Sequence, residues 1–130
     1  MIKLWSPSAR CLGGVCLGDP ADLILQSGDY VREDNPATDE QYLRRWQPDV
    51  IATLSDDIVV SITALDECEV DGVDVIGLPL ESVAWRLGGI AEQTGRGVVD
   101  MFETTSGVEL WVRDGSVCQV SISDWSLVKE

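Results

Sequence analysis

The chain has 130 residues, and its 23 acidic against 9 basic residues give a formal net charge of −14. So acidic a surface repels phosphate backbones and anionic lipids, which argues against nucleic acid or a membrane as direct partner. Hydrophobic residues make up 45 % of the chain, enough for a hydrophobic core and too many for a disordered protein. We expect a globular monomer or weak dimer that binds a basic protein.

The N-terminal segment predicts one strand and one short helix. Residues 2–5 are mostly apolar and predict the strand. Asp19 and Pro20 are residue types preferred at an N-cap and at the first helical position. They predict a helix over residues 21–27 that ends at Gly28.

The next segment predicts a loop and a second helix. Residues 31–36 are polar and predict the loop. Thr38, followed three residues later by Gln41, matches a capping box. We therefore expect a short helix that runs to Trp46 and ends before Pro48.

From residue 50 onward the pattern changes to that of strands. β-Branched and apolar residues fill 50–54 and 58–65, and the polar residues between them predict a hairpin. A further short strand is expected over 73–76, after the turn residues Asp71 and Gly72.

The clearest helical pattern begins at Pro79 and ends at Gly88 and Gly89. Its apolar residues recur at helical spacing and predict one stripe that packs on a sheet. They are Leu80, Val83, Ala84 and Leu87.

The C-terminal third predicts a β-meander over 98–103, 108–113 and 117–123, with Asp114 and Gly115 as a two-residue type I′ turn. The fold class is therefore α+β, a largely antiparallel sheet with two or three short helices packed on one face.

The segments that precede the helices at Pro20 and Pro79 resemble each other, which suggests a duplicated helix-plus-strands unit. The chain is predicted to be a single domain, 1–130. That domain is either undivided or built from internal halves, 1–70 and 71–130.

The sequence lacks the usual catalytic groups. It has no histidine, so Ser–His and Cys–His pairs are excluded. Its glycine-rich segments match neither phosphate-binding fingerprint, and the acids around Gly72 lack the spacing of a calcium loop. We expect no enzymatic activity, no catalytic residue, no cofactor and no metal site.

The expected location is the cytoplasm. No run reaches the roughly 18–20 apolar residues of a membrane span, and the first residues lack the apolar core of a signal peptide. The cysteines are therefore expected to be reduced, buried free thiols, and their spacing does not fit a zinc site. They are Cys11, Cys16, Cys68 and Cys118.

Acidic residues are concentrated in a stretch without lysine or arginine, between Arg45 and Arg86. Strands in this stretch should place several acids on one edge or face, where mutual repulsion lowers stability. A surface that tolerates this repulsion suggests a binding role. The predicted partner-binding acids are Asp56, Asp57, Asp66, Glu67, Glu69, Asp71 and Asp74.

Trp111 is predicted to be an exposed anchor for the partner. It alternates with Leu110 and Val112, so it lies on the opposite face of its strand from these apolar residues. Tryptophan is enriched among the residues that dominate binding energy in protein interfaces.

The runs 57–83 and 107–115 resemble bacterial immunity proteins that accompany contact-dependent growth inhibition and other polymorphic toxins. The resemblance implies a small cytoplasmic protein that binds and neutralises one cognate toxin domain. A basic nuclease would suit the acidic stretch. The run 77–83 also resembles the repeated units of β-lactamase-inhibitor-like domains, which use their sheet to bind proteins.

An alternative reading is a DNA-mimicking antirestriction or regulatory protein. Such a protein would bind several unrelated DNA-binding proteins, and salt would weaken each complex. It would need acids at regular spacing along an elongated surface, which the near-neutral C-terminal strands do not offer.

Overall fold

The computed structural model describes residues 2–5, 9–35, 37 and 40–128. Short strands provide most of the regular structure. In chain order the elements are β1 (Leu4–Trp5), β2 (Cys11–Leu12), β3 (Val15–Cys16), α1 (Ala21–Leu25), β4 (Val31–Asn35), β5 (Glu40–Arg45), β6 (Val50–Ser55), β7 (Ile58–Ala64), β8 (Glu69–Val70), β9 (Val73–Asp74), α2 (Leu80–Ala84) with a 3-10 turn at Trp85–Leu87, β10 (Ile90–Gly95), β11 (Asp100–Thr104), β12 (Glu109–Arg113), β13 (Ser116–Ser123) and a 3-10 turn at Trp125–Leu127.

Eight strands form one sheet in the order β10-β11-β12-β13-β7-β6-β5-β4, and every neighbouring pair is antiparallel. There are two smaller sheets. One contains β1, β2 and β3, and the other contains β8 and β9. The predicted largely antiparallel sheet is therefore confirmed. The predicted hairpin corresponds to β6 and β7, and the predicted meander corresponds to β11, β12 and β13.

The helix predicted to end at Trp46 is wrong, because Glu40–Arg45 forms β5. Leu43 is buried in this strand, whereas its neighbours Tyr42 and Arg44 are only partly buried. This alternation is that of a strand with one face in the core. Hydrogen bonding to β4 on one side and β6 on the other outweighs the local capping pattern.

The loop predicted over 31–36 is also wrong, because its described part, Val31–Asn35, forms β4. Neither edge strand of the large sheet was predicted from the sequence. The residues of β4 and β10 are mostly exposed, so they do not show the alternation of apolar and polar residues that marks a strand with one buried face. Thr38 of the predicted capping box lies outside the described residues.

Cys11 and Cys16 form a disulfide, so the expectation that all four cysteines are reduced is wrong for this pair. The two residues are direct partners in the β2–β3 hairpin. Gly13 and Gly14 form its turn with φ values of 63° and 82°, which favour glycine. The tight turn brings together two cysteines whose sequence spacing by itself gave no sign of pairing.

The hydrophobic core lies on one face of the large sheet. Along β6, buried Val50, Ala52 and Leu54 alternate with partly buried residues that point the other way. The central strands add Val59, Ile62, Val120 and Ile122, and the helices add Ala21, Ile24, Val83 and Leu87 to the same cluster.

Matching hydrogen bonds join each helix start to a central hairpin. The backbone N–H of Gly18 donates to the carbonyl of Val59 at 2.8 Å, and that of Gly77 donates to Val117 at 2.7 Å. Two further pairs of backbone hydrogen bonds repeat the pattern. The N–H of Val59 donates to the carbonyl of Asp19, as that of Val117 does to Leu78. The N–H of Ala21 donates to the carbonyl of Asp57, as that of Leu80 does to Gly115. The first four strands of the large sheet and the last four are therefore attached to their helices in the same way.

The two central hairpins also share their turns and irregularities. Asp56 and Asp57 have φ values of 50° and 63°, and Asp114 and Gly115 have 53° and 81°. Positive φ at both turn residues is what a type I′ turn requires. Shortly after each turn the register shifts by one residue, in β7 opposite Thr53 and Leu54 and in β13 opposite Trp111 and Val112.

Replacing both Cys11 and Cys16 with serine should lower the free energy of unfolding by about 2 kcal/mol, the value expected for a short cross-linked loop. Urea unfolding followed by tryptophan fluorescence measures this loss. Reductant should lower the unfolding midpoint of the wild-type protein and leave the double variant unchanged. A double variant that still responds to reductant would contradict the pairing.

Candidate interface on the open sheet face

The face of the large sheet opposite the core carries the candidate site, and we call it the open face. One row of directly paired residues crosses it, one residue from each strand. From β4 to β10 the row reads Val31, Arg44, Ile51, Thr63, Ser121, Glu109, Glu103 and Glu92. The row has one cation, Arg44, next to its β4 end, and it ends with three acids on the β10–β12 side.

Glu92, Glu103 and Glu109, which we call the glutamate ladder, are consecutive partners across β10, β11 and β12. Neighbouring strands lie about 4.8 Å apart, so the backbones of the outer two residues are roughly 10 Å apart across the sheet. Like charges directly opposite each other destabilise a sheet. The ion pairs found among the described residues do not include a ladder glutamate.

Beside the ladder, the open face has a depression of about 470 Å³. Trp111 and Met101 line it from the sheet, and Trp125 lines it from the C-terminal 3-10 turn. Trp125 is 62 % exposed, a large fraction for a tryptophan side chain. Glu103 and Glu109 complete the acidic side of the depression.

Small hydroxyl side chains from β7 and β13 also line the depression. Ser61 and Ser123 share a hydrogen bond of 2.9 Å between their hydroxyls, and Thr63 and Ser121 share one of 2.8 Å. Ser61 and Ser121 are buried, and these bonds satisfy their hydroxyl groups. Because the side chains are short, they leave space between the larger residues around them.

The carboxylate of Glu109 is fixed in orientation. The indole N–H of Trp111 donates to its Oε1 at 3.0 Å, and the hydroxyl of Thr94 donates to its Oε2 at 3.4 Å. Arg113 follows Trp111 by two residues in β12 but does not line the depression. The acidic side of the depression is therefore arranged by neutral donors and carries no cation from its own lining residues.

The predicted partner-binding acids lie in two regions, the β6–β7 turn and the segment that runs from the end of β7 through the β8–β9 hairpin. Asp56 and Asp57 form the β6–β7 turn, where Asp57 Oδ1 accepts from Arg32 Nη1 at 2.7 Å. Asp66 and Glu67 follow the other end of β7, roughly 20 Å away for a strand of this length. The structure therefore does not bring these two groups together.

The small β8–β9 hairpin, which begins two residues after Glu67, contains Glu69, Asp71 and Asp74. Asp74 Oδ1 accepts from the backbone N–H groups of Cys68 at 3.1 Å and Ile76 at 3.2 Å. Asp74 therefore holds its own loop in place. Of the predicted partner-binding residues, Trp111 alone lines the depression. It was predicted to be exposed, but it is partly buried in β12, where its indole N–H donates to Glu109.

The sequence-based prediction missed the glutamate ladder and Trp125. Glu109 and Trp111 alternate with buried residues along β12. This alternation could have shown that the two side chains are neighbours on the same face of the strand. Adding Glu103 and Glu92 to the same row requires the register of β11 and β10, and β10 was not predicted as a strand.

Comparison of the chain with protein-family models, curated proteins and solved structures finds no match. Within the described part of the chain, no helix is long and apolar enough to cross a bilayer. The same residues contain no group of three or more cysteine, aspartate or glutamate side chains placed to hold a metal ion. The function of the open face has therefore to be argued from its own residues.

The substitution Glu103→Gln should raise the free energy of unfolding by roughly 0.2–1 kcal/mol, because it removes the central charge of the ladder. Chemical denaturation at low salt measures this gain. It should shrink in 1 M NaCl, where the screening length falls to about 3 Å.

Asp56→Asn is the matched control for Glu103→Gln. It removes one negative charge at a turn where asparagine also accepts positive φ. Its effect should depend on salt less than that of Glu103→Gln. Equal salt dependence for both variants would show that net charge, and not the ladder, is responsible.

Proposed function

We propose that this chain is an immunity protein that binds and neutralises a cognate basic toxin domain, a nuclease. The observation that carries the proposal is the open face, where Trp111 and Trp125 flank a depression beside three glutamates that form no ion pair within the described part of the chain. Tryptophan side chains supply large contact area at low entropic cost, and acids without cations favour a positively charged partner.

The charge of the whole chain supports the same partner. A formal charge of −14 creates a negative potential around the molecule. Such a potential speeds the encounter with a basic protein by roughly 10- to 1000-fold. The acids at the β6–β7 turn, after β7 and in the β8–β9 hairpin contribute to this long-range attraction. The ladder provides direct contact.

The free cysteines do not favour a catalytic role. Burial, with smaller contributions from the nearby Asp74 and Glu69, raises the pKa of the Cys68 thiol to about 12. A thiol with so high a pKa stays protonated at neutral pH, where the thiolate is the reactive form. With no histidine in the chain to act as a base, a binding role is the stronger inference.

The DNA-mimicking alternative gains no support from the arrangement of acids. The row across the open face contains Arg44, Ile51 and hydroxyl residues before it reaches the ladder. A mimic of a phosphate backbone needs acids repeated along the whole surface. Three acids at one side of the sheet suit a local contact with one partner.

We also infer that the chain is a duplicated unit of one short helix and four strands, with both helices on the core face. The matched hydrogen bonds at Gly18 and Gly77 and the matched turns at Asp56 and Asp114 support this inference. In this arrangement the two repeated units are joined by the pairing of β7 with β13 in one continuous sheet, so the chain acts as one domain.

The cytoplasmic location and the Cys11–Cys16 disulfide favour different compartments, because stable disulfides are rare in the cytosol. Alkylation of the protein in lysates, under denaturing conditions that expose Cys68, should distinguish them. Two modified cysteines per chain, Cys68 and Cys118, would indicate an oxidising compartment. Four would indicate a reducing one and support the cytoplasmic location.

The function is tested by co-expression with the product of the neighbouring gene, which the proposal expects to encode the toxin domain. Wild-type protein should restore growth and form a stable complex. The triple variant Glu92→Gln, Glu103→Gln and Glu109→Gln should bind roughly tenfold more weakly or worse, a loss of about 1.4 kcal/mol or more. Titration calorimetry measures the difference.

The matched control is the triple variant Asp56→Asn, Glu69→Gln and Asp71→Asn, which removes the same charge away from the open face. It should slow association and leave the dissociation rate close to that of wild type. A folded wild-type chain that neither protects cells nor binds the toxin domain would overturn the proposal.

A further inference from the structure

We propose that the depression on the open face receives an arginine side chain of the partner, with Trp111 and Trp125 as its aromatic walls and the ladder carboxylates as its ion partners. This inference rests on the proposed function and specifies how the open face recognises a basic protein. The occupant is one guanidinium group, held at a defined place in the sheet.

The charge of the depression selects a cation. Glu103 and Glu109 line it together, and their facing positions carry a repulsive cost that a bound cation would remove. The lining residues include no lysine or arginine. A charged group supplied by the partner is therefore the missing complement.

The donors around Glu109 orient its carboxylate before a ligand binds. Trp111 and Thr94 each donate to one of its oxygens, at 3.0 Å and 3.4 Å. Each carboxylate oxygen can accept a further hydrogen bond. A planar guanidinium, which presents its donors in a rigid fork, matches such a fixed acceptor better than a compact ammonium does.

The other half of the open face already contains this arrangement, formed within the chain. The guanidinium of Arg44 lies 5.3 Å from the centroid of the Trp46 ring, and its Nη2 is 3.4 Å from Asp49 Oδ2. The depression on the β10–β12 side offers tryptophan and carboxylate, and its lining residues include no arginine. Guanidinium groups bind aromatic faces readily, so the same combination can accept one from outside.

Exposure and space are sufficient for this occupant. Trp125 and Glu103 are exposed, and the depression of about 470 Å³ lies within the range of sites that bind small ligands. Ser61, Thr63, Ser121 and Ser123 offer hydroxyl oxygens that can accept from the guanidinium. These hydroxyls favour an occupant with several donors.

N-acetyl-L-arginine amide is the probe, and N-acetyl-L-citrulline amide is its neutral counterpart of similar shape. The arginine probe should shift the indole N–H resonance of Trp111 in a ¹H–¹⁵N NMR titration with millimolar affinity. Trp111→Phe identifies that resonance. The citrulline probe should produce no saturable shift, and N-acetyl-L-lysine amide should bind at least threefold more weakly.

The double variant Glu103→Gln and Glu109→Gln should weaken binding of the arginine probe at least fivefold. Asp56→Asn with Asp71→Asn, which removes two charges elsewhere, should leave it within twofold of wild type. Spectra with wild-type dispersion verify that both variants are folded. Equal binding of citrulline or lysine amide, or unchanged binding by the Glu103 and Glu109 variant, would overturn the inference.

The two proposals fail in different ways. A chain that protects against the toxin domain but does not bind the arginine probe refutes the arginine site and leaves the immunity function standing. A chain that binds the probe through Glu103 and Glu109 but neither binds nor neutralises the toxin domain supports the site and refutes the immunity function.

Discussion

The pairing of β7 with β13 is the interaction on which the rest of the structure depends. Four residue pairs join these strands, and they are the only link between the two groups of four strands within the described sheet. Ile62 and Ile122 face each other on the core side, and both are almost fully buried. On the open face, Ser61 pairs with Ser123 and Thr63 with Ser121 through their hydroxyls. One seam therefore fixes both the core and the floor of the candidate interface.

This seam also determines how charge is distributed over the open face. Because antiparallel partners point to the same side, the register of each strand pair assigns every residue to one row. Arg44 lies next to the β4 end of the row, and the glutamate ladder lies at the other end. A shift of one residue in any strand would move its member of the row into the core, so core packing and charge placement are fixed together.

The acids of this chain divide into those that stabilise the fold and those that do not. Asp74 accepts hydrogen bonds within its loop, Asp57 binds Arg32, and Asp124 binds Arg10 and Ser126. The bonds from Ser126 and Arg10 lower the pKa of Asp124. The ladder has the opposite character, since its members oppose one another. Acids that repel one another and form no ion pair within the described residues are the stronger candidates for binding, because a binding role explains why this repulsion is tolerated.

Local sequence patterns predicted the largely antiparallel sheet, the two central hairpins and the helix that begins at Leu80. These features depend on local signals: apolar alternation along a strand, glycine and aspartate in tight turns, and helical spacing of Val83 and Leu87. The position of Trp111 on the strand face opposite Leu110 and Val112 was also predicted in this way, because the strand alternates between a buried and a partly buried face.

Tertiary structure alone decided the identity of β5, the Cys11–Cys16 bond and the glutamate ladder. β5 is a strand because two neighbours bond to its edges, which no capping pattern of its own residues reveals. Glu92, Glu103 and Glu109 come from three strands and become neighbours through register, a property of strand pairs and not of any single segment. The net charge pointed to a basic partner, and the fold decided which acids stand beside the tryptophans to meet it.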